Sequence, residues 1–116
     1  MDLDTAARRL AELGNATRLE IVRLLVRAGP EGLAIGEIQS RLGTPASTLA
    51  FHLRGLVTAG LVVQARESRI VRCTPCFDVI NKTLAFVKEH CCVGFEKGAE
   101  LGPEAERKRR RHTKAA

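Results

Sequence analysis

Residues 41–74, RLGTPASTLAFHLRGLVTAGLVVQARESRIVRCT, change their hydrophobic period once, and that change decides the fold. Thr44 suits a helix N-cap, Pro45 suits the first helical position, where no N–H is needed, and Gly60 suits the position just past a helix end. Between them Leu49, Leu53, Leu56 and Val57 recur as a stripe to be buried. Ser47, Thr48, Phe51, His52 and Arg54 fall outside that stripe and are read as the outward face. After Gly60 the period shortens. LVVQAR (61–66) and RIVRCT (69–74) read as two strands of a hairpin around Glu67 and Ser68. In the second strand Val71 and Cys73 share one face, Ile70, Arg72 and Thr74 the other, and Pro75 ends it.

Upstream, three further helices are expected. Leu3, Ala6, Ala7, Leu10 and Leu13 carry 3–4 spacing up to Gly14. Asn15 then caps a helix over Thr17–Ala28, with Ile21, Leu24, Leu25 and Ala28 on one face. A short helix over Ala34–Leu42 turns Ile35, Ile38 and Leu42 inward and stops at Gly43. Two helices joined by RLGTP, the second bearing polar side chains outward, make a helix-turn-helix, and the hairpin that follows makes it winged. Downstream, helical spacing resumes over Phe77–Cys92, where Phe77, Ile80, Leu84, Val87 and Cys91 form a wide apolar face flanked by Val79, Thr83 and Phe86. The fold class read from the sequence is mainly α with a β-hairpin wing: a winged helix-turn-helix that pairs through its terminal helices.

The bulk properties agree with a single domain. The chain has 116 residues with 45% hydrophobic content, enough for one modest core. It holds no apolar run near the ~18 residues that suggest a membrane span. MDLDTAARRL at the N-terminus lacks the apolar segment of a secretory signal, so a cytoplasmic location is expected, with thiols kept reduced. The net charge is +6, but residues 103–116 hold six Lys/Arg against two Glu, a net +4, which leaves +2 for residues 1–102. The expected organisation is therefore a domain over residues 1–94 and a disordered basic tail over residues 95–116.

LGNATRLEIVRLL (13–25) and IGEIQSRLGTPASTLAFHLRGLVTAGLV (35–62), with the wing after them, resemble the ArsR/SmtB family of small winged-helix metalloregulatory repressors. The likeness spans roughly residues 6–92. It implies a homodimer that binds double-stranded operator DNA and releases it when a metal or metalloid ligand binds. One family site places cysteines in the third helix, where this chain reads AIGEIQ and has none. A family zinc site in the last helices would retain only Asp78 here. A third, arsenic-sensing subgroup is similar to CFDVINKTLAFVKEHCCVG (76–94) through Phe77, Asn81, Leu84, Phe86, Glu89, Cys91 and Cys92.

Cysteine chemistry supports that likeness. Trivalent arsenic is a soft centre that selects thiolates. Cys91 and Cys92 are adjacent, with Cα atoms ~3.8 Å apart, below the usual disulfide range, yet they can offer two sulfurs to one large atom. Two suffice for methylarsenite, whereas arsenite takes a third. Cys76 lies fifteen residues from Cys91, about 22 Å along a continuous helix, so Cys73 or Cys76 would have to come from the other subunit of an antiparallel dimer. Cys73 fits a core position as well as a ligand position, and Cys76 fits the opening of a helix as well as a ligand position. A structural zinc knuckle is disfavoured because the second cysteine pair lacks the two-residue gap. A thiol redox switch is the rival reading, along with a response to another soft ion such as Sb(III) or Cd(II).

On the DNA side, Ser47, Thr48, Phe51, His52 and Arg54 are the candidates for the major groove, and Arg66 and Arg69 for phosphate or minor-groove contact by the wing. His52 fits a packing role equally well. No catalytic set competes: the three histidines, 52, 90 and 112, are scattered, and no Gly-rich phosphate loop is present.

Overall fold

The computed structural model describes residues 1–95. In chain order it contains α1 (Leu3–Leu13), α2 (Ala16–Ala28), β1 (Leu33–Ala34), α3 (Ile35–Leu42), α4 (Ala46–Thr58), β2 (Val62–Glu67), β3 (Ile70–Pro75) and α5 (Phe77–Lys88). The basic tail expected from residue 95 onward lies, beyond Phe95, outside the described residues.

Each helix begins for a local reason. The Asp2 carboxylate accepts the Thr5 N–H at 2.7 Å, which closes the start of α1 and holds that carboxyl below its ordinary pKa. Asn15 does the same for α2 through the Arg18 N–H at 3.1 Å. At α3 the Glu37 carboxylate reaches back to the Ala34 N–H, so the acidic side chain serves an otherwise orphan donor. Gly43 then adopts φ +65°, the left-handed conformation that turns α3 into α4. The start of α4 differs from expectation: Pro45, not Thr44, is the N-cap, because its ψ of 145° is still extended and helical geometry begins at Ala46. The far end of α4 is a complete Schellman closure. Gly60 at φ +80° donates to the Val57 carbonyl and Leu61 donates to the Leu56 carbonyl, which sends Leu61 and Val62 straight into the core.

The sheet has three antiparallel strands in the order β1-β3-β2. The expected hairpin is present, with Glu67 paired to Ile70 and the tip at Ser68 and Arg69, one residue later than the sequence reading; Ser68 takes φ +59° there. The third strand, β1, is new. It has two residues and pairs Leu33 with Cys73 and Ala34 with Arg72, too short to show any periodicity in the sequence. Gly32 permits the pairing, since a Cβ at that position would overlap the Cys73 carbonyl oxygen.

Ile21, Val22, Leu25, Ile38, Leu49, Leu53, Leu56, Leu61, Val62 and Cys73 form the core, drawn from α2, α3, α4 and both hairpin strands. Each large aliphatic side chain so buried contributes about 1.5–3 kcal/mol. Ala28, expected inward, is exposed: it sits in the last turn of α2 beside an open cleft lined by Leu24, Leu33 and Arg41, and Val22 takes the inner position.

The last helix corrects the sequence reading more substantially. α5 stops at Lys88 rather than running to Cys92. Residues 89–92 are all exposed, so no packing sustains another helical turn. The chain instead passes through His90 and Cys92, both at φ +63°, with turns closed by Cys91 N–H to Lys88 and Val93 N–H to His90. Along α5, Val79, Ile80 and Phe86 are half-buried and Thr83 is buried, its hydroxyl donating to the Val79 carbonyl at 2.7 Å. Leu84 and Val87 are 52% and 60% exposed, and Phe77 is exposed beside them.

Candidate nucleic-acid interface and thiol pair

α4 carries the residues that the sequence offers as DNA contacts. At 100° per residue, Ser47, Phe51 and Arg54 follow one line along the helix, with Thr48 at its edge, and all four are exposed. His52, expected among them, is only 9% exposed. The reason lies in the spacing: His52 is three residues after Leu49 and four before Leu56, so it falls beside the buried stripe. Its Nδ1 has no hydrogen-bond partner.

Phe51 is 58% exposed, yet it is held from two sides. The His52 ring meets it edge-on with centroids 5.4 Å apart, and the Arg18 guanidinium lies 5.5 Å from its centroid. Arg18 is fixed in turn by an ion pair with Glu12 at 2.9 Å. The pair needs Gly55: a Cβ on that residue would lie 2.7 Å from the Glu12 Oε2 and 3.4 Å from the Arg18 Nε. Three helices thus join in one chain of contacts: Phe51 meets Arg18, Arg18 pairs with Glu12, and Gly55 leaves room for that pair. Sequence reasoning missed Glu12 and Arg18 as members of this group. The available signal was Gly55, a glycine inside a helix where alanine would be about 1 kcal/mol better, which asks for a packing reason.

In the wing, Arg66 lies on exposed β2 and Arg69 at the hairpin tip. The one acidic residue of the hairpin, Glu67, is tied to Arg72 at 2.9 Å. Among the described residues neither Arg66 nor Arg69 is paired with a carboxylate, so both cations remain available at the wing edge.

The four cysteines occupy three different environments. Cys91 and Cys92 are exposed, with their sulfurs 3.2 Å apart. Cys76 is half-buried at the start of α5. Cys73 is fully buried in β3, where Gln64 Nε2 donates to its sulfur at 3.6 Å, and burial pushes its pKa up. Among the described residues no three His, Cys, Asp or Glu side chains gather into a metal-sized cluster. Within one chain α5, twelve residues and about 18 Å long, separates the vicinal pair from Cys76.

Comparison with known proteins agrees with this architecture. Residues 13–65 match the family described as a helix-turn-helix domain. HlyU from Vibrio cholerae N16961 is similar at 28% identity and a TM-score of 0.63, over 79% of this chain and 99% of that one. The homodimeric winged helix-turn-helix DNA-binding domain Mb0332 from Mycobacterium bovis, described as a possible ArsR-family transcriptional regulator, is similar at 27% identity and a TM-score of 0.61, over 82% of this chain and 89% of that one. An ArsR-like transcriptional regulator from Rhodococcus sp. RHA1 shares the fold at 24% identity and a TM-score of 0.66, over 97% of this chain and 93% of that one. Comparison with curated proteins gives no match. Architecture and matches together define a winged helix-turn-helix protein. Among the described residues no helix is long and apolar enough to cross a membrane.

Proposed function

We propose that this protein is a homodimeric repressor that binds operator DNA through α4 and the wing and releases it when trivalent arsenic bonds to Cys91 and Cys92. The observation that carries the sensing half is the exposed sulfur pair at 3.2 Å, close enough for one soft atom to bridge. Two thiolates match methylarsenite directly. Arsenite takes a third thiol, and with Cys73 sealed in the core the half-buried Cys76 of the other subunit is the better source. The DNA half rests on the exposed Ser47, Thr48, Phe51 and Arg54 of α4 and on Arg66 and Arg69 of the wing. The dimer rests on the exposed Leu84 and Val87 of α5, apolar surface that a second copy would cover. Ligand bonding need only favour the DNA-incompatible arrangement of the dimer by a few kcal/mol to release the operator.

The test is a mobility-shift assay on the protein's own upstream region against As(III), methylarsenite, Sb(III), Zn(II), Cd(II) and a peroxide. Release by the trivalent arsenicals that disappears in Cys91→Ser/Cys92→Ser, with DNA affinity retained, is the expected outcome. Release by peroxide alone would favour a redox switch. A chain that shifts no DNA would instead be a winged helix devoted to protein contacts.

A further inference from the structure

We infer that Phe51 is the specificity-determining residue of the reading face and that it selects a thymine, through its C5 methyl group, in each operator half-site. The inference rests on the DNA-binding reading above and deepens it.

Phe51 is the one large apolar side chain among the exposed candidates on α4, and it stands between Ser47 and Arg54 along the helix line. It is also pre-positioned. Arg18 on one side and His52 on the other hold the ring, Glu12 holds Arg18, and Gly55 leaves room for that ion pair. A braced ring loses little rotamer freedom on binding. The chemistry of the major groove then narrows its target. All four bases present hydrogen-bonding atoms there, which a phenyl ring would strip of water without replacing it. Thymine alone among the four bases presents a methyl group. Ring against methyl buries apolar surface from both partners and leaves Ser47, Thr48 and Arg54 for polar edges and phosphates.

Arg18 is accordingly a positioning residue. Its guanidinium faces the Phe51 ring and the Glu12 carboxylate, so it governs the direction of the ring without itself reading a base.

The experiment begins with selection of duplexes from a random-sequence library by the wild-type protein. Each thymine of the selected site is then replaced singly by uracil, which removes only the methyl group, and affinities are read by fluorescence anisotropy. The expected result is a loss of about four-fold at one thymine per half-site, the factor for one buried methyl, with little change elsewhere. In Phe51→Ala the thymine and uracil duplexes should bind alike at that position, and in Arg18→Gln the ratio should fall below the wild-type value. Arg18→Lys, which keeps the charge beside Glu12, should recover part of the ratio. Uracil tolerated at every position by the wild type overturns the assignment, as does an unchanged penalty in Phe51→Ala. If Phe51→Ala fails to fold, Phe51→Gln at the same exposed position takes its place with the same two outcomes. Selection that enriches no sequence would overturn the DNA-binding reading itself, an outcome distinct from binding without methyl dependence.

Discussion

The carboxylate of Glu12 in α1 lies 2.7 Å from the place where a Cβ would stand on Gly55 in α4. Gly55 is therefore where α4 admits an ion pair from α1 and α2. Two effects oppose each other at this position. Alanine would improve helix propensity by about 1 kcal/mol. It would also push the carboxylate off Arg18, unpairing two partly buried charges. Gly55→Ala should thus be neutral to destabilising in the wild type and stabilising in a Glu12→Ala background. Thermal denaturation of the four proteins measures the difference, and equal effects in both backgrounds would show that the carboxylate is not what requires the space.

Burial raises the Cys73 pKa, and the sign of its effect on stability follows. Above the ordinary thiol value of about 8.5 the unfolded chain gains a charge that the folded chain still refuses. The contribution of this thiol is therefore fully present below that pH and is lost as pH rises through the folded value. The melting temperature of the wild type should fall more steeply between pH 7 and 10 than that of Cys73→Ala, and parallel curves would refute the assignment. Alkylation at neutral pH followed by mass spectrometry should label Cys91 and Cys92 quickly and Cys73 only on unfolding.

Arg66 and Arg69 are exposed at the wing with no carboxylate partner among the described residues. Phosphate contact by each should appear as one step in the salt dependence of binding. Replacing either by Ala is expected to lower affinity for all sequences and reduce the log–log salt slope by about one. An unaltered slope would mean that the wing stands clear of the DNA.

Leu84 and Val87 leave an apolar stripe open along α5. Leu84→Glu together with Val87→Glu should convert a dimer to a monomer in sedimentation equilibrium while far-ultraviolet circular dichroism is retained, because neither side chain supports the chain's own core. A wild-type protein that sediments as a monomer would remove the dimer from the proposal.

The local elements were legible because each carries its own punctuation. Leu3–Leu13 is bounded by Asp2 and Gly14, and α4 is closed by Gly60, so short-range chemistry sets where these helices begin or end. The change of period after Gly60 likewise specified a wing, to within one residue at its tip. The misses share a different cause. β1 is two residues long and exists only because β3 lies beside it. α5 ends at Lys88 because nothing packs against residues 89–92, although their sequence continues the apolar spacing. His52 is polar in type, but α4 rotates it toward the buried stripe.

The sequence by itself determined the order of elements, the exposed face of α4 and the adjacent pair Cys91–Cys92, since these follow from periodicity, capping and covalent neighbourhood. Tertiary structure alone decided that Cys73 is sealed in the core while the vicinal thiols are exposed, and that Glu12, Arg18 and Gly55 meet, with Arg18 against Phe51. The physical reason is sequence distance. Residues 12, 18, 51 and 55 come from three helices, and only the packing of those helices brings their side chains within reach of one another.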